Sequence, residues 1–216
     1  MNKPIITTKC TDTLYETKFL NLYDLKYREG KHYFDASRRS KENLVAVKSD
    51  EEFKSMLPDA VTIAVVLRLP NGETRLLLSY EYRYPTGQFQ LSPVAGLIDE
   101  EDRLEDNPLV SAAVREIKEE SGMTVGPKDK VTVLNPCAFS SPGMTDESNA
   151  FLCAEINVEN FDMLSQAGAV GGELFDGFAI LDKEEARRVY ESGTDEKGIY
   201  YSLATWAILG YYLLNY

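Results

Sequence analysis

The sequence predicts an α/β protein: a mixed sheet between helices, an α/β/α sandwich, with a small antiparallel β-unit in front of it. Three observations lead there. Val61 to Leu69 is a β-branched apolar run closed by the turn Pro70-Asn71-Gly72. Asn107 to Gly122 carries an apolar stripe at helical spacing between a cap and a stop. Residues 12–48 show strand patterning with turns between and no long helical stripe. The domain reading is 1–58 for the N-terminal β-unit and 59–216 for the main domain.

In the first segment, Phe19 to Tyr27 alternates with period two, and Arg28-Glu29-Gly30-Lys31 is a turn. His32 to Arg39 is the return strand, and Leu44-Val45-Ala46-Val47 reads as a third short strand. Ser49-Asp50-Glu51-Glu52 is a capping-box start for a helix ending near Pro58. A unit this small buries little apolar surface alone, so it must pack on the main domain or on another chain.

The main domain opens with the strand from Val61, and Arg75 to Tyr80 pairs back on it. Pro93 to Ile98 is an apolar, Gly-containing strand end that lets backbone approach a ligand. Asp99 to Asp106 is acidic, lacks EF-hand spacing and reads as a solvated loop. Asn107 is the N-cap and Pro108 the first helical position. Leu109, Ala112, Ala113 and Ile117 form the buried stripe, which directs the acidic face away from the core. Further strands are expected at 131–134, 150–156 and 175–179. Asp182-Lys183-Glu184-Glu185 starts a helix ending at Gly193, and Ser202 to Asn215 forms the last, with Trp206 as core.

Composition narrows the function. The net charge of −12 argues against a nucleic-acid polymer as partner. Cys10, Cys137 and Cys153 are an odd, dispersed set, which suits free thiols in a reducing compartment. The N-terminus has no signal-peptide core, and the apolar run 203–214 is too short to span a bilayer. The expected setting is cytoplasmic, with no membrane contact.

The chemistry lies in Arg115-Glu116-Ile117-Lys118-Glu119-Glu120-Ser121-Gly122-Met123. Glu116, Glu119 and Glu120 share one helix face. Like charges there repel, and a hard divalent cation relieves that cost. Such a cation commonly completes its shell with substrate phosphates. The alternative is a solvated acidic face.

This segment resembles the Nudix hydrolase box: Gly, five residues, Glu, seven residues, then Arg-Glu-apolar-x-Glu-Glu-x-Gly-apolar. Gly96 matches the first glycine, and Arg115 through Met123 match the second half. Gly96 to Arg115 spans 19 positions instead of 14, so about five residues are inserted. Asn107 stands eight before the arginine, where the family has Glu. Outside the box, Tyr82-Arg83-Tyr84-Pro85, Pro93 to Asp99 and Pro142-Gly143 are similar to ADP-ribose pyrophosphatases.

The resemblance implies roles. Glu116, Glu119 and Glu120 match metal glutamates, Ala95 a backbone carbonyl of the metal shell, and Arg115 a box arginine that orients a glutamate. Arg83 matches an arginine facing the diphosphate; otherwise it is a surface arginine at a strand end. Gly171-Gly172-Glu173 resembles a mobile loop presenting a catalytic base, with Glu120 as the other candidate and an ordinary turn as the alternative. Phe34, Asp35 and Arg39 fall where the subfamily contacts the nucleobase, although Phe34 equally suits plain core. His32 reads as a solvated surface residue. The implied protein is a Mg²⁺-dependent homodimer, with Mn²⁺ as substitute, cleaving a nucleoside diphosphate sugar such as ADP-ribose. Another sugar nucleotide (UDP- or GDP-sugar) and a non-catalytic nucleotide-sensing module are the alternatives.

Overall fold

The strand β4, Ala60–Arg68, is buried from Ala60 to Leu67. A strand covered on both faces reads as a continuous apolar run, which is the pattern this segment carries. The computed structural model describes residues 3–168 and 172–216. Two units divide the chain: Met1–Asp59 with Cys137–Asn149, and Ala60–Pro136 with Ala150–Tyr216. The unit expected over 1–58 thus also takes in the far end of a later hairpin.

In the second unit the turn at Gly72 (φ 86°) returns the chain into β5, Thr74–Arg83, antiparallel to β4. Two strands follow: β6, Gln88–Ser92, pairs with β5, and β7, Val94–Leu97, pairs with β4. Sequence reasoning had not separated β6 as a strand. Then come α2, Pro108–Ser121, β8, Lys130–Phe139, β9, Ser148–Asn157, and β10, Phe175–Leu181. The strand order is β10-β5-β4-β9-β8. The helices α3, Lys183–Ser192, and α4, Leu203–Asn215, complete a mixed α/β unit.

Ala64 and Val66 of β4 join Leu76 and Leu78 of β5 in a core with Ala186, Val189, Ile208, Leu209 and Tyr212 of α3 and α4. Helix α2 packs on β4 and β7. Asp182 caps α3 by accepting from the Glu185 N–H at 2.8 Å, as its capping box predicts. Trp206 corrects an expectation: it is 45% exposed and stacks on Tyr190 at 5.1 Å. The buried stripe of α4 falls instead on Thr205, Ile208, Leu209 and Tyr212. No helix among the described residues is long and apolar enough to cross a membrane.

In the first unit, β1 (Thr11–Tyr15), β2 (Asn21–Arg28) and β3 (Lys31–Ser37) form an antiparallel sheet in that order. The third strand is therefore β1, and Leu44–Val47 is not a strand. The N–H groups of Asn43 and Val47 go to the carbonyls of Ser40 and Leu44, and that of Val45 to Asp146. None of them is left for a ladder. Leu44 is instead fully buried with Tyr23 and Leu25. The short helix α1, Asp50–Ser55, starts on the expected Ser49–Glu52 capping box.

Candidate active site

The helix α2 begins with Pro108 and ends on Gly122 in the left-handed conformation (φ 73°). Asn107 makes no side-chain cap bond; its carbonyl accepts from Val110 and Ser111. The acidic face is not aimed away from the core. Glu116 and Glu120 are 5% and 3% exposed, and only Glu119 is partly open. The reason is β7, on which α2 packs. A Cβ built on Gly96 would lie 1.9 Å from Glu116 Oε1, so the missing side chain is the space this carboxylate occupies. One residue earlier, the Ala95 N–H donates to Glu120 Oε1 at 3.1 Å.

Arg115 ties the group together. Its Nη1 donates to Glu116 Oε1 at 2.7 Å and to Glu119 Oε2 at 3.1 Å. Its Nη2 donates to the Leu97 carbonyl at 2.7 Å and to Asp102 Oδ2 at 2.8 Å. Asp102 corrects the picture of a solvated acidic loop: it is 3% exposed and also accepts from the Asp99 N–H and from Ser111 Oγ. Burial alone would raise its carboxyl, but Arg115 and the Asp99 N–H hold it below the usual range. Asp102 stands six positions after Gly96, the box spacing counted from the glycine. Counting back from Arg115 had pointed to Asn107. Counted from Gly96, the extra residues lie between Asp102 and Arg115, and an acid stands at the position where the box pattern has one.

Burial lifts Glu116 to about 7; Arg115 opposes this, while Glu119 and Glu173 add to it. Burial also pushes Glu120 well above its ordinary value, against the Ala95 N–H and with the charges of Glu81, Glu116 and Glu173. Glu81 was not singled out from the sequence. It lies on β5, raised chiefly by burial and held back by Arg83 and Ser92. The signal for it was the period-two alternation that sets Ser79, Glu81 and Arg83 on one face of the strand.

Arg83, at the end of β5, is exposed and pairs with Glu81 at 2.5 Å. Glu173 is brought to this end of the sheet. The Tyr82 N–H donates to the Leu174 carbonyl at 2.8 Å, and Tyr84 Oη to the Gly172 carbonyl at 3.3 Å. Glu173 acts electrostatically on Glu81, Glu116 and Glu120. Gly171 of the expected loop lies outside the described residues.

The proposed base contacts in the first unit do not converge. Phe34 is 56% exposed, so it is not core, and it neighbours Asp24 across the sheet. Asp35, the next residue along β3, points to the opposite face and is buried. Arg39 is engaged by Asp59 at 2.9 Å and Asp146 at 3.8 Å. His32 is exposed as expected, with its Nδ1 2.7 Å from Asp24. None of the three cysteines forms a disulfide among the described residues.

The donor set suits a hard divalent cation: carboxylates of Glu116, Glu119 and Glu120, with Glu81 and Glu173 in electrostatic reach and two guanidinium groups to balance them. Among the described residues no three acidic, His or Cys side chains already converge on one point. Arg115 Nη1 bridges Glu116 and Glu119 instead, and the Ala95 N–H holds Glu120.

No family model matches the chain. It is 30% identical over 125 residues to an uncharacterized Nudix hydrolase of Schizosaccharomyces pombe, covering 56% of this chain and 55% of that protein. It is 33% identical over 99 residues to a protein of Caenorhabditis elegans named as nudix hydrolase 2, covering 46% and 40%. It is 35% identical over 95 residues to the chloroplastic Nudix hydrolase 14 of Arabidopsis thaliana, covering 41% and 29%. The chain spans about half the length, or less, of the relatives it matches. All three relatives carry the Nudix hydrolase name, and this similarity supports the Nudix family for the chain.

Proposed function

We propose that this chain is a Nudix hydrolase that cleaves the diphosphate bond of a nucleoside diphosphate sugar, with ADP-ribose giving AMP and ribose 5-phosphate. The observation that carries the reading is the burial of Glu116 and Glu120 against the backbone of Ala95 and Gly96. Buried like charges are costly and need a cation to share. The α/β/α layering expected from the sequence agrees with a core shared by α3 and α4 and with α2 packed on β4 and β7.

Glu116, Glu119 and Glu120 would hold Mg²⁺, or Mn²⁺ in its place, with the Ala95 carbonyl beside them. When bound, the cation supplies charge neutralisation on the diphosphate and a lowered pKa for the attacking water. Arg115 keeps Glu116 and Glu119 in position through its bonds to both. Arg83, exposed at the mouth of the site, exchanges Glu81 for a diphosphate oxygen. Glu173 takes the proton of the water as its oxygen bonds to phosphorus and the bridging P–O bond breaks. Glu120 is the second candidate for that proton.

The test is a panel of ADP-, UDP- and GDP-sugars with Mg²⁺ and Mn²⁺, read by product chromatography. AMP and ribose 5-phosphate from ADP-ribose are expected. Tight binding with no turnover of any member would point to a sensing module instead.

The chain is further read as a cytoplasmic homodimer without nucleic-acid or membrane partners. Exposed Phe19, Leu20 and Phe34 in the first unit support self-association, and three cysteines without a disulfide suit a reducing compartment. Light scattering at micromolar concentration should give twice the chain mass.

A further inference from the structure

The first unit holds a cavity of about 430 Å³, lined only by its own residues and sharing none with the glutamate cluster. That volume falls within the range of small-molecule sites. Leu25, Tyr27, Tyr33 and Phe139 contribute its apolar and aromatic walls. Two carboxylates, Asp35 and Asp146, also line it.

These acids are poorly compensated. Asp35 is 6% exposed; burial together with the Asp146 charge raises its carboxyl to about 6, against a hydrogen bond from the Asp146 backbone N–H. Asp146 Oδ2 accepts from the Val45 N–H at 3.0 Å, while its buried Oδ1 has no hydrogen-bond partner among the described residues. The neighbouring cation is Arg39, which Asp59 shares at 2.9 Å; Arg39 Nε lies 3.8 Å from Asp146 Oδ2 and also lacks a hydrogen bond. Asp59 and Asp146 therefore divide one guanidinium, and Asp35 has no cation paired with it among the described residues. Buried polar groups are ordinarily satisfied, and surplus negative charge in an apolar space calls for donors and positive charge. Aromatic walls favour a cation as well.

We propose that this cavity binds a small organic cation, a protonated amine or amidine on an apolar body, whose N–H groups bond to Asp35 and Asp146. Tyr27, Tyr33 and Phe139 enclose the body. A nucleotide fits these walls less well, because its phosphates bring further negative charge to two carboxylates.

Benzamidine is the probe, titrated calorimetrically into the full chain, with neutral benzamide and AMP as controls. Saturable benzamidine binding is expected, weakened at least about tenfold in Asp35→Asn and in Asp146→Asn, as when a charged hydrogen bond is lost. Asp35→Asn keeps the side-chain shape and removes a buried charge, so it folds, and a thermal melt checks that. Amide shifts of Ala36 and Val45 on titration report the cavity directly. No saturation at millimolar benzamidine, equal affinity in wild type and both variants, or equal binding of benzamide would overturn the proposal. AMP displacing benzamidine from the same amides would assign the cavity to a nucleobase and overturn it too. None of these readouts depends on hydrolase activity.

Discussion

The carboxylate of Glu116 lies in the space that a side chain at Gly96 would need. A Cβ at position 96 would meet Glu116 Oε1 at 1.9 Å and Cδ at 2.1 Å. The glycine of β7 thus serves the helix opposite as much as its own strand. The obstructing atoms are the far end of a flexible side chain, so the fold can yield while the site cannot. Gly96→Ala should therefore lower kcat at least about 100-fold, comparable to losing a charge-stabilising group. Glu116→Gln should do the same. The thermal midpoint of Gly96→Ala should stay close to that of wild type. A large fall in midpoint with kcat per folded molecule unchanged would mean that the glycine serves β7 alone.

Asp102 and Arg115 form the second relationship that carries a prediction. Asp102 binds Arg115 Nη2 and Nε, and Arg115 in turn binds Glu116 and Glu119. Asp102→Asn removes the most buried of the carboxylates that hold the partly buried guanidinium. It should cost about 3 kcal/mol, the range for breaking one side of a buried pair. It should also weaken divalent-ion binding, because the glutamates lose their anchor. Urea denaturation and Mn²⁺ binding by paramagnetic resonance measure the two effects. Unchanged stability would show that Ser111 and the Asp99 N–H, not Arg115, are the partners that matter.

How much of this was legible beforehand follows from where each signal sits. The helix from Pro108 to Ser121 declares itself locally, through Pro108, the apolar stripe and Gly122. The run Arg115 to Met123 declares the acids and their shared face. What a helical wheel cannot supply is the surface opposite that face. Here it is the backbone of Ala95 and Gly96, which reverses the expected direction of Glu116 and Glu120. Asp102 was hidden by the insertion, because counting from Arg115 and counting from Gly96 give different residues. The ion partners of Arg39 were not legible because Asp146, one of the acids that engage it, is more than a hundred positions away in sequence, beyond any local pattern. Leu44 to Val47 was ambiguous for the usual reason that a short apolar run suits a strand or a buried turn equally.

Asp35 gives a pH dependence whose sign can be worked out. Its carboxyl is raised by burial, and by Asp146, from 3.8 to about 6. The folded state therefore keeps a proton that the unfolded chain has already lost between about pH 4 and 6. The contribution of Asp35 to stability is greatest below that window and declines as pH rises through it, by up to about 3 kcal/mol. Asp35→Asn removes this slope and should be more stable than wild type at pH 8. Urea midpoints at pH 4, 5, 6 and 8 test it. Parallel curves for the two proteins would exclude a buried, proton-binding Asp35.

The last prediction concerns the proton acceptor. Glu173 stands between two residues tied to the end of β5, Gly172 through Tyr84 and Leu174 through the Tyr82 N–H. It is thus held where its charge reaches Glu81, Glu116 and Glu120, while belonging to a different segment from the helix that carries Glu116, Glu119 and Glu120. A base so placed can take a proton from water without serving as a ligand. Glu173→Gln should lower kcat by roughly 10²–10⁴, the range for loss of a general base. KM should change little, because the residue is not asked to bind the ground state. Mg²⁺ affinity should survive, since Glu116, Glu119 and Glu120 remain. Measuring kcat, KM and Mg²⁺ dependence separates the cases. A kcat within about threefold of wild type, far less than a base contributes, would pass the role to Glu120. A collapse in Mg²⁺ affinity would instead make Glu173 a ligand and extend the metal site from the helix to the strand end.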